Sequence, residues 1–137
     1  MKENVAYHFH HLGIPIADGD NKGRFSERFG LYTFDNPGKF AVQWHRFSTD
    51  SVLPPLLKTV PHIAFKVNNL AAAIAGESVI LGPYEPIEGY WVAVIDDGGV
   101  PIELIETALT DEELWARATL GQGELYRVTT RGQDSEM

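Results

Sequence analysis

The sequence contains no cysteine. Disulfides, thiolate nucleophiles and sulfur-ligated metal sites are therefore excluded, and any metal must be held by nitrogen and oxygen. Basic residues are scarce, with 11 Lys and Arg against 19 Asp and Glu and a formal net charge of −8. These cations are scattered along the chain. That argues against a nucleic-acid partner, because phosphate binding draws on clustered Lys and Arg. No apolar run approaches the roughly 18 residues of a membrane helix, so no membrane partner is expected. The residues from Met1 onward lack the apolar stretch and small-residue cleavage site of a secretory signal, and a cytoplasmic location is the expectation. A Gly-rich phosphate loop and a Gly-x-Ser-x-Gly elbow are also missing, so neither nucleotide chemistry nor a serine nucleophile is indicated.

What is present suits one globular core: 137 residues, 44% of them apolar, are too few for two independent domains. Tyr7 to Ile16 alternates apolar and polar positions and reads as a strand running into the turn residues Asp18-Gly19-Asp20-Asn21. Phe25 and Phe29 stand four apart between an Asp20 or Asn21 cap and Gly30, which predicts a short helix over 22–29. Strands are expected over 31–34 and 40–47, and Pro54-Pro55 marks 51–60 as an extended connector. The pattern then restarts. A strand over 62–67, an Ala-rich helix capped by Asn69 and stopped at Gly76, and strands over 79–81, 90–95 and 101–106 follow. Thr110-Asp111-Glu112-Glu113 reads as a capping box opening a helix, Leu125 to Val128 as a further strand, and 131–137 as disordered.

The two halves repeat. His11-Leu12-Gly13-Ile14-Pro15-Ile16 matches His62-Ile63-Ala64-Phe65-Lys66-Val67, each a histidine with apolar residues one, three and five places on. On these two strands and on Val100-Pro101-Ile102-Glu103-Leu104-Ile105-Glu106, the chain resembles the vicinal-oxygen-chelate superfamily, which includes glyoxalase I, extradiol dioxygenases, methylmalonyl-CoA epimerase and fosfomycin-resistance proteins. The resemblance covers about 9–107. It implies an α+β fold in which two βαβββ modules, about 7–50 and 61–107, form one open barrel around a divalent metal. It also implies that the ligands fall on His11, His45, His62 and Glu103. The spacing from His11 to His45 is shorter than that from His62 to Glu103, so the first module is shortened.

The physics of these positions stands beside the resemblance. Alternate strand residues share a face, so Gly13 beside His11 and Ala64 beside His62 leave room for an ion and a substrate. A carboxylate in the otherwise apolar strand of Glu103 would cost several kcal/mol unpaired, which favours a ligand role. Gln43, His45 and Phe47 share one face and Trp44 and Arg46 the other. The first is taken as interior, because burying Arg46 without partners is costly. Gln43 is then placed to orient a substrate oxygen or water. Lys66, on the face of His62, is read either as an acid–base or anion-binding group or as a side chain snorkelling out of the barrel mouth. His8 and His10 are assigned to the face opposite His11, with structural or solvent roles. Tyr84, Tyr90 and Trp91 are core or pocket residues, and Glu106 is a surface residue.

Imidazole and carboxylate ligands suit Zn, Ni, Fe, Mn or Co without choosing among them. The expected activity is a metal-dependent isomerase, epimerase or lyase that holds a small substrate by two neighbouring oxygens and stabilises an enolate. With only His11, His62 and Glu103 as ligands the site would instead be the two-His one-Glu iron centre of an extradiol-type dioxygenase. A non-catalytic protein that binds an antibiotic or other small molecule is the third reading. A homodimer is expected, since an open barrel leaves strand edges that a second copy can cover.

Overall fold

The computed structural model describes residues 1–17, 23–119 and 127–128. Its first strand, β1 (Tyr7–Ile16), lies beside β5 (His62–Val67) in antiparallel register, with Gly13 opposite His62 and His11 opposite Ala64. This pair is the centre of the molecule. On one side β1 pairs in parallel with β4 (Val42–Phe47), which continues antiparallel to β3 (Leu31–Asp35) and then β2 (Arg24–Ser26). On the other side β5 pairs in parallel with β8 (Val100–Thr107), which continues antiparallel to β7 (Tyr90–Asp97) and then β6 (Val79–Ile87). The two-residue strand β9 (Arg127–Val128) joins the β2 edge. The result is a mixed α+β structure in which one sheet, ordered β6-β7-β8-β5-β1-β4-β3-β2-β9, curls into a half-barrel with few helices. No helix among the described residues is long and apolar enough to cross a membrane.

The convex face of the sheet is covered by α2 (Leu70–Ile74). Five residues cannot sustain a helix in water, and tertiary contacts hold this one. Asn69 Oδ1 accepts from Ala72 N at 3.0 Å, Glu106 Oε1 accepts from Leu70 N at 2.6 Å, and Leu70 and Ala73 are buried against Val67, Ala93 and Leu104. Glu106 is exposed, as expected, and also caps this helix. The concave face carries two more apolar clusters, one built on Ala64, Tyr90, Val92, Ile105 and Leu114, the other on Phe29, Leu31, Leu53, Leu57 and Val94.

Three expectations are overturned. The helix expected over 22–29 is absent from 23–29: Arg24–Ser26 is strand β2 and residues 27–30 form a turn. Phe25 pairs with Tyr32 across the sheet, and Ser26 Oγ accepts from Phe29 N at 3.3 Å to close the turn, so sheet pairing outweighs the i, i+4 aromatic spacing. The connector at 51–60 contains the short helix α1 (Pro55–Thr59). Pro55 occupies its first turn, where the missing N–H would have had no partner, so the prolines start the helix and do not forbid it. The strand expected to end at Leu81 runs on through Gly82-Pro83 to Ile87, with register shifts against β7 absorbing the interruption. The capping box does open α3 (Asp111–Thr119): Glu113 N donates to Thr110 Oγ1 at 3.1 Å and Thr110 N to Glu113 Oε1 at 2.9 Å. Of the strand expected over 125–128, Arg127–Val128 is β9. The turn at 18–21, residues 125 and 126, and the tail 131–137 lie outside the described residues.

The β1–β5 register places the Gly13 Cα under the His62 ring, and a Cβ there would overlap the imidazole. Gly13→Ala should therefore force His62 from its position and destabilise the protein by about 1–3 kcal/mol. Urea denaturation measures this, and unchanged stability would show that His62 has room to move aside.

Candidate metal centre

The concave face of the half-barrel is built from alternate residues of five strands. His11 and Gly13 of β1, Gln43, His45 and Phe47 of β4, His62 of β5, Val94 of β7 and Glu103 of β8 face it, and all but Gly13 line one cavity. His11 reaches this face because β1 is bulged. Phe9 opposes Phe65 and His11 opposes Ala64, so two steps along β1 match one along β5 and His10 is the extra residue. Strict alternation from Tyr7, which packs on the convex face with Phe65, would have sent His11 outward.

Three donors converge in the cavity. Glu103 Oε1 lies 3.1 Å from His62 Nε2 and 3.5 Å from His11 Nε2, and the two imidazole nitrogens are 3.4 Å apart. Ligands about 2.1 Å from a common ion stand roughly 3.0–3.4 Å from one another, so these separations match those around one small divalent ion. The side chains of His11 and His62 are 8% and 9% exposed and that of Glu103 is 18% exposed. This His, His, Glu group can hold a metal ion.

Burial alone would push the Glu103 pKa up. Hydrogen bonding with His11 and His62, together with the electrostatic pull of the same two rings, outweighs it and holds the carboxyl well below the usual carboxylate range. The site therefore presents an ionised carboxylate and two imidazoles, a donor set suited to Zn²⁺, Fe²⁺, Ni²⁺, Co²⁺ or Mn²⁺.

His45 is buried beside this group. Its ring stacks on that of His62 with centroids 5.2 Å apart, and its Nδ1 is 2.9 Å from Thr33 Oγ1. Its Nε2 is buried with no hydrogen-bond partner among the described residues. Burial first, then the neighbouring His62 and His11, pushes its pKa down to about 3. A neutral imidazole with one nitrogen engaged and the other unpaired is the form a metal ligand takes. His45 is not in the group of three whose donor atoms all lie within 4.8 Å of one another.

The other expected site residues divide. Gln43 lines the cavity, with its Nε2 3.5 Å from Asp35 Oδ1. Tyr84 and Tyr90 line it as well, whereas Trp91 on the opposite face is 44% exposed. Arg46 packs outside, its guanidinium 4.7 Å from the Tyr32 ring centre, as its face assignment requires. Lys66 does not line the cavity: it sits at the far end of β5, paired with His8 and Ile105. The assignment of His10 to the face opposite His11 is also corrected, because the bulge turns it into the cavity, where its Nδ1 is 2.8 Å from His11 Nδ1. No sequence signal marks that bulge. The run His8-Phe9-His10-His11 reads equally well as a regular strand.

The depressed pKa of His45 fixes the direction of its pH effect. Below its ordinary value of 6.5 the unfolded chain takes a proton that the folded protein refuses until about pH 3, so folding stability falls with pH across that window. The slope from His45 is about 1.4 kcal/mol per pH unit. In metal-free protein, His45→Asn should lose less stability than the wild type between pH 6.5 and 5. Equal losses in urea denaturation would show that His45 does not titrate this way.

Comparison with protein-family models, curated proteins and solved structures returned no match.

Proposed function

We propose that the protein is a metal-dependent enzyme that holds a small, largely apolar substrate by two neighbouring oxygens and performs an isomerase, epimerase or lyase reaction. The observation that carries this reading is the convergence of His11, His62 and Glu103 beside the unpaired His45 Nε2, inside one cavity. His11, His62 and Glu103 would hold the ion, with His45 as fourth ligand. A divalent ion there supplies Lewis-acid polarisation of a substrate carbonyl.

The chain's own residues do the rest. Phe29, Leu31, Leu57, Tyr84 and Val94 wall the cavity and exclude water from the apolar body of the substrate. Gln43 offers its side-chain amide to a substrate oxygen from β4. No lysine or arginine is among the described residues that line the cavity, which disfavours a substrate carrying several negative charges. The two-module reading of the fold draws support from the matched pairings, since β1 with β4 and β5 with β8 are both parallel first-to-last strand pairs.

A second reading has its own observation. Among the described residues the donor atoms of three, His11, His62 and Glu103, lie within 4.8 Å of one another, and a two-His one-carboxylate group is the facial arrangement of non-haem iron oxygenases. Metal titration separates the two. His11→Ala, His62→Ala and Glu103→Ala should each abolish tight binding of Zn²⁺ or Co²⁺. His45→Ala should weaken it at least tenfold, about 1.4 kcal/mol. Unchanged affinity in His45→Ala favours the three-ligand oxygenase. No binding by the wild type leaves a metal-free small-molecule binding protein.

The same proposal includes a homodimer. β6 lies at an edge of the sheet, and Phe9, Phe40 and Trp91 are exposed apolar surface. Light scattering should report twice the 15.2 kDa chain mass, and a single-chain mass at high micromolar concentration removes the dimer.

A further inference from the structure

The bulged residue of β1 is engaged at both ring nitrogens. His10 Nδ1 is 2.8 Å from His11 Nδ1, and His10 Nε2 is 3.2 Å from Asp111 Oδ1 in the first turn of α3. The His10 side chain is 15% exposed and that of Asp111 is 71% exposed, so the chain Asp111–His10–His11 runs from solvent to the centre of the barrel.

The protons in this chain are not free to choose their places. A His11 that offers its Nε2 lone pair to a metal must carry its proton on Nδ1. That proton is donated to His10 Nδ1, which must then be the acceptor. His10 consequently carries its own proton on Nε2, and that proton meets the Asp111 carboxylate. In the reverse arrangement His10 Nδ1 donates to His11, His11 Nε2 carries a proton towards Glu103, and His10 Nε2 sets a lone pair against the Asp111 carboxylate. Only the first arrangement pairs both ring nitrogens of His10 and leaves His11 Nε2 open to an ion, which then takes the place of the His11 proton beside Glu103.

We propose that His10 and Asp111 are positioning residues that hold His11 in the metal-binding tautomer, and so set the affinity of the centre. This rests on the metal-centre reading above. It goes beyond it by giving a role to a residue outside the proposed ligand set, and to the first turn of α3. Outer-shell partners of ligating histidines work in this way, fixing ring orientation and tautomer. Leu114 of the same helix lines the cavity, so the contact also ties the position of that wall to the ligand.

Titration of the full-length protein with Co²⁺, followed by the visible absorption of the bound ion, tests the proposal. His10→Phe removes the acceptor and should weaken binding about tenfold or more. His10→Gln should restore near wild-type affinity, because its Oε1 can accept from His11 and its Nε2 can donate to Asp111. Asp111→Asn can accept either proton arrangement and should weaken binding about threefold, the smaller effect following from its exposure. In the zinc-loaded wild type, long-range proton–nitrogen NMR should place the His11 proton on Nδ1. Affinity and Co²⁺ spectrum unchanged in both His10→Phe and Asp111→Asn, while His11→Ala loses the metal, would overturn the outer-shell role and leave the centre intact. A wild type that binds no Co²⁺ would overturn both. Should His10→Phe not fold, Asp111→Asn and the His11 proton position decide the matter alone.

Discussion

An ionised carboxylate set among apolar side chains is the most expensive object in this molecule, and the arrangement of the sheet follows from the need to partner it. Glu103 projects from β8 between Ile102 and Leu104, and transferring such a charge from water without partners costs many kcal/mol. His62 and His11 supply the partners, at 3.1 and 3.5 Å. They come from the two central strands, so any slip of β1 against β5, or of β5 against β8, would leave the charge uncompensated. Two polar contacts of one carboxylate thereby fix the register of three adjacent strands more sharply than apolar packing can, because packing tolerates exchange among residues of similar size.

Meeting this constraint required a departure from regular structure. β1 must bury Tyr7 on the convex face with Phe65 and also direct His11 into the concave cavity, and strict alternation cannot do both. The bulge at His10 resolves the conflict with one extra residue. Its cost is a polar side chain turned into a half-enclosed space, and that cost is met by Asp111 and by His11 itself. Gly13 completes the adjustment, since only a residue without a Cβ lets the His62 ring approach the β1 backbone.

Much of this was legible in the sequence, for an identifiable reason. His11 and His62 stand out because the segment around each repeats, and Glu103 because a charge interrupts an apolar strand. Both are signals carried by residue type and spacing alone. The interior face of β4 was legible from the cost of burying Arg46, and that side chain does pack outside on Tyr32. The illegible parts are those decided by partners distant in sequence. Phe25 and Phe29 satisfy a helical spacing, yet Phe25 is held by Tyr32 across a strand pair. Pro54-Pro55 forbids a helix interior and permits a helix start, and the burial of Leu57 among Phe29, Leu31 and Val94 settles which. Lys66 shares the face of His62, but the cavity ends before reaching it, and cavity depth has no signature in a strand's alternation.

His45 carries a cost that fold stability alone does not explain. In a protein selected for stability alone, a buried imidazole with an unpaired Nε2 would be replaced by an apolar residue, since the unsatisfied nitrogen costs about 1–3 kcal/mol and gains nothing. Its neighbours make the cost larger. His62 and His11 disfavour its protonation, so it cannot escape by becoming a charged donor to Glu103. Thr33, fully buried on β3, is engaged with the other nitrogen and holds the ring in place. A structural role accounts for the Thr33 contact and leaves the orphaned Nε2 unexplained. The proposed role of His45 as fourth ligand accounts for both, because the lone pair that is a liability without an ion would then be the group that binds it.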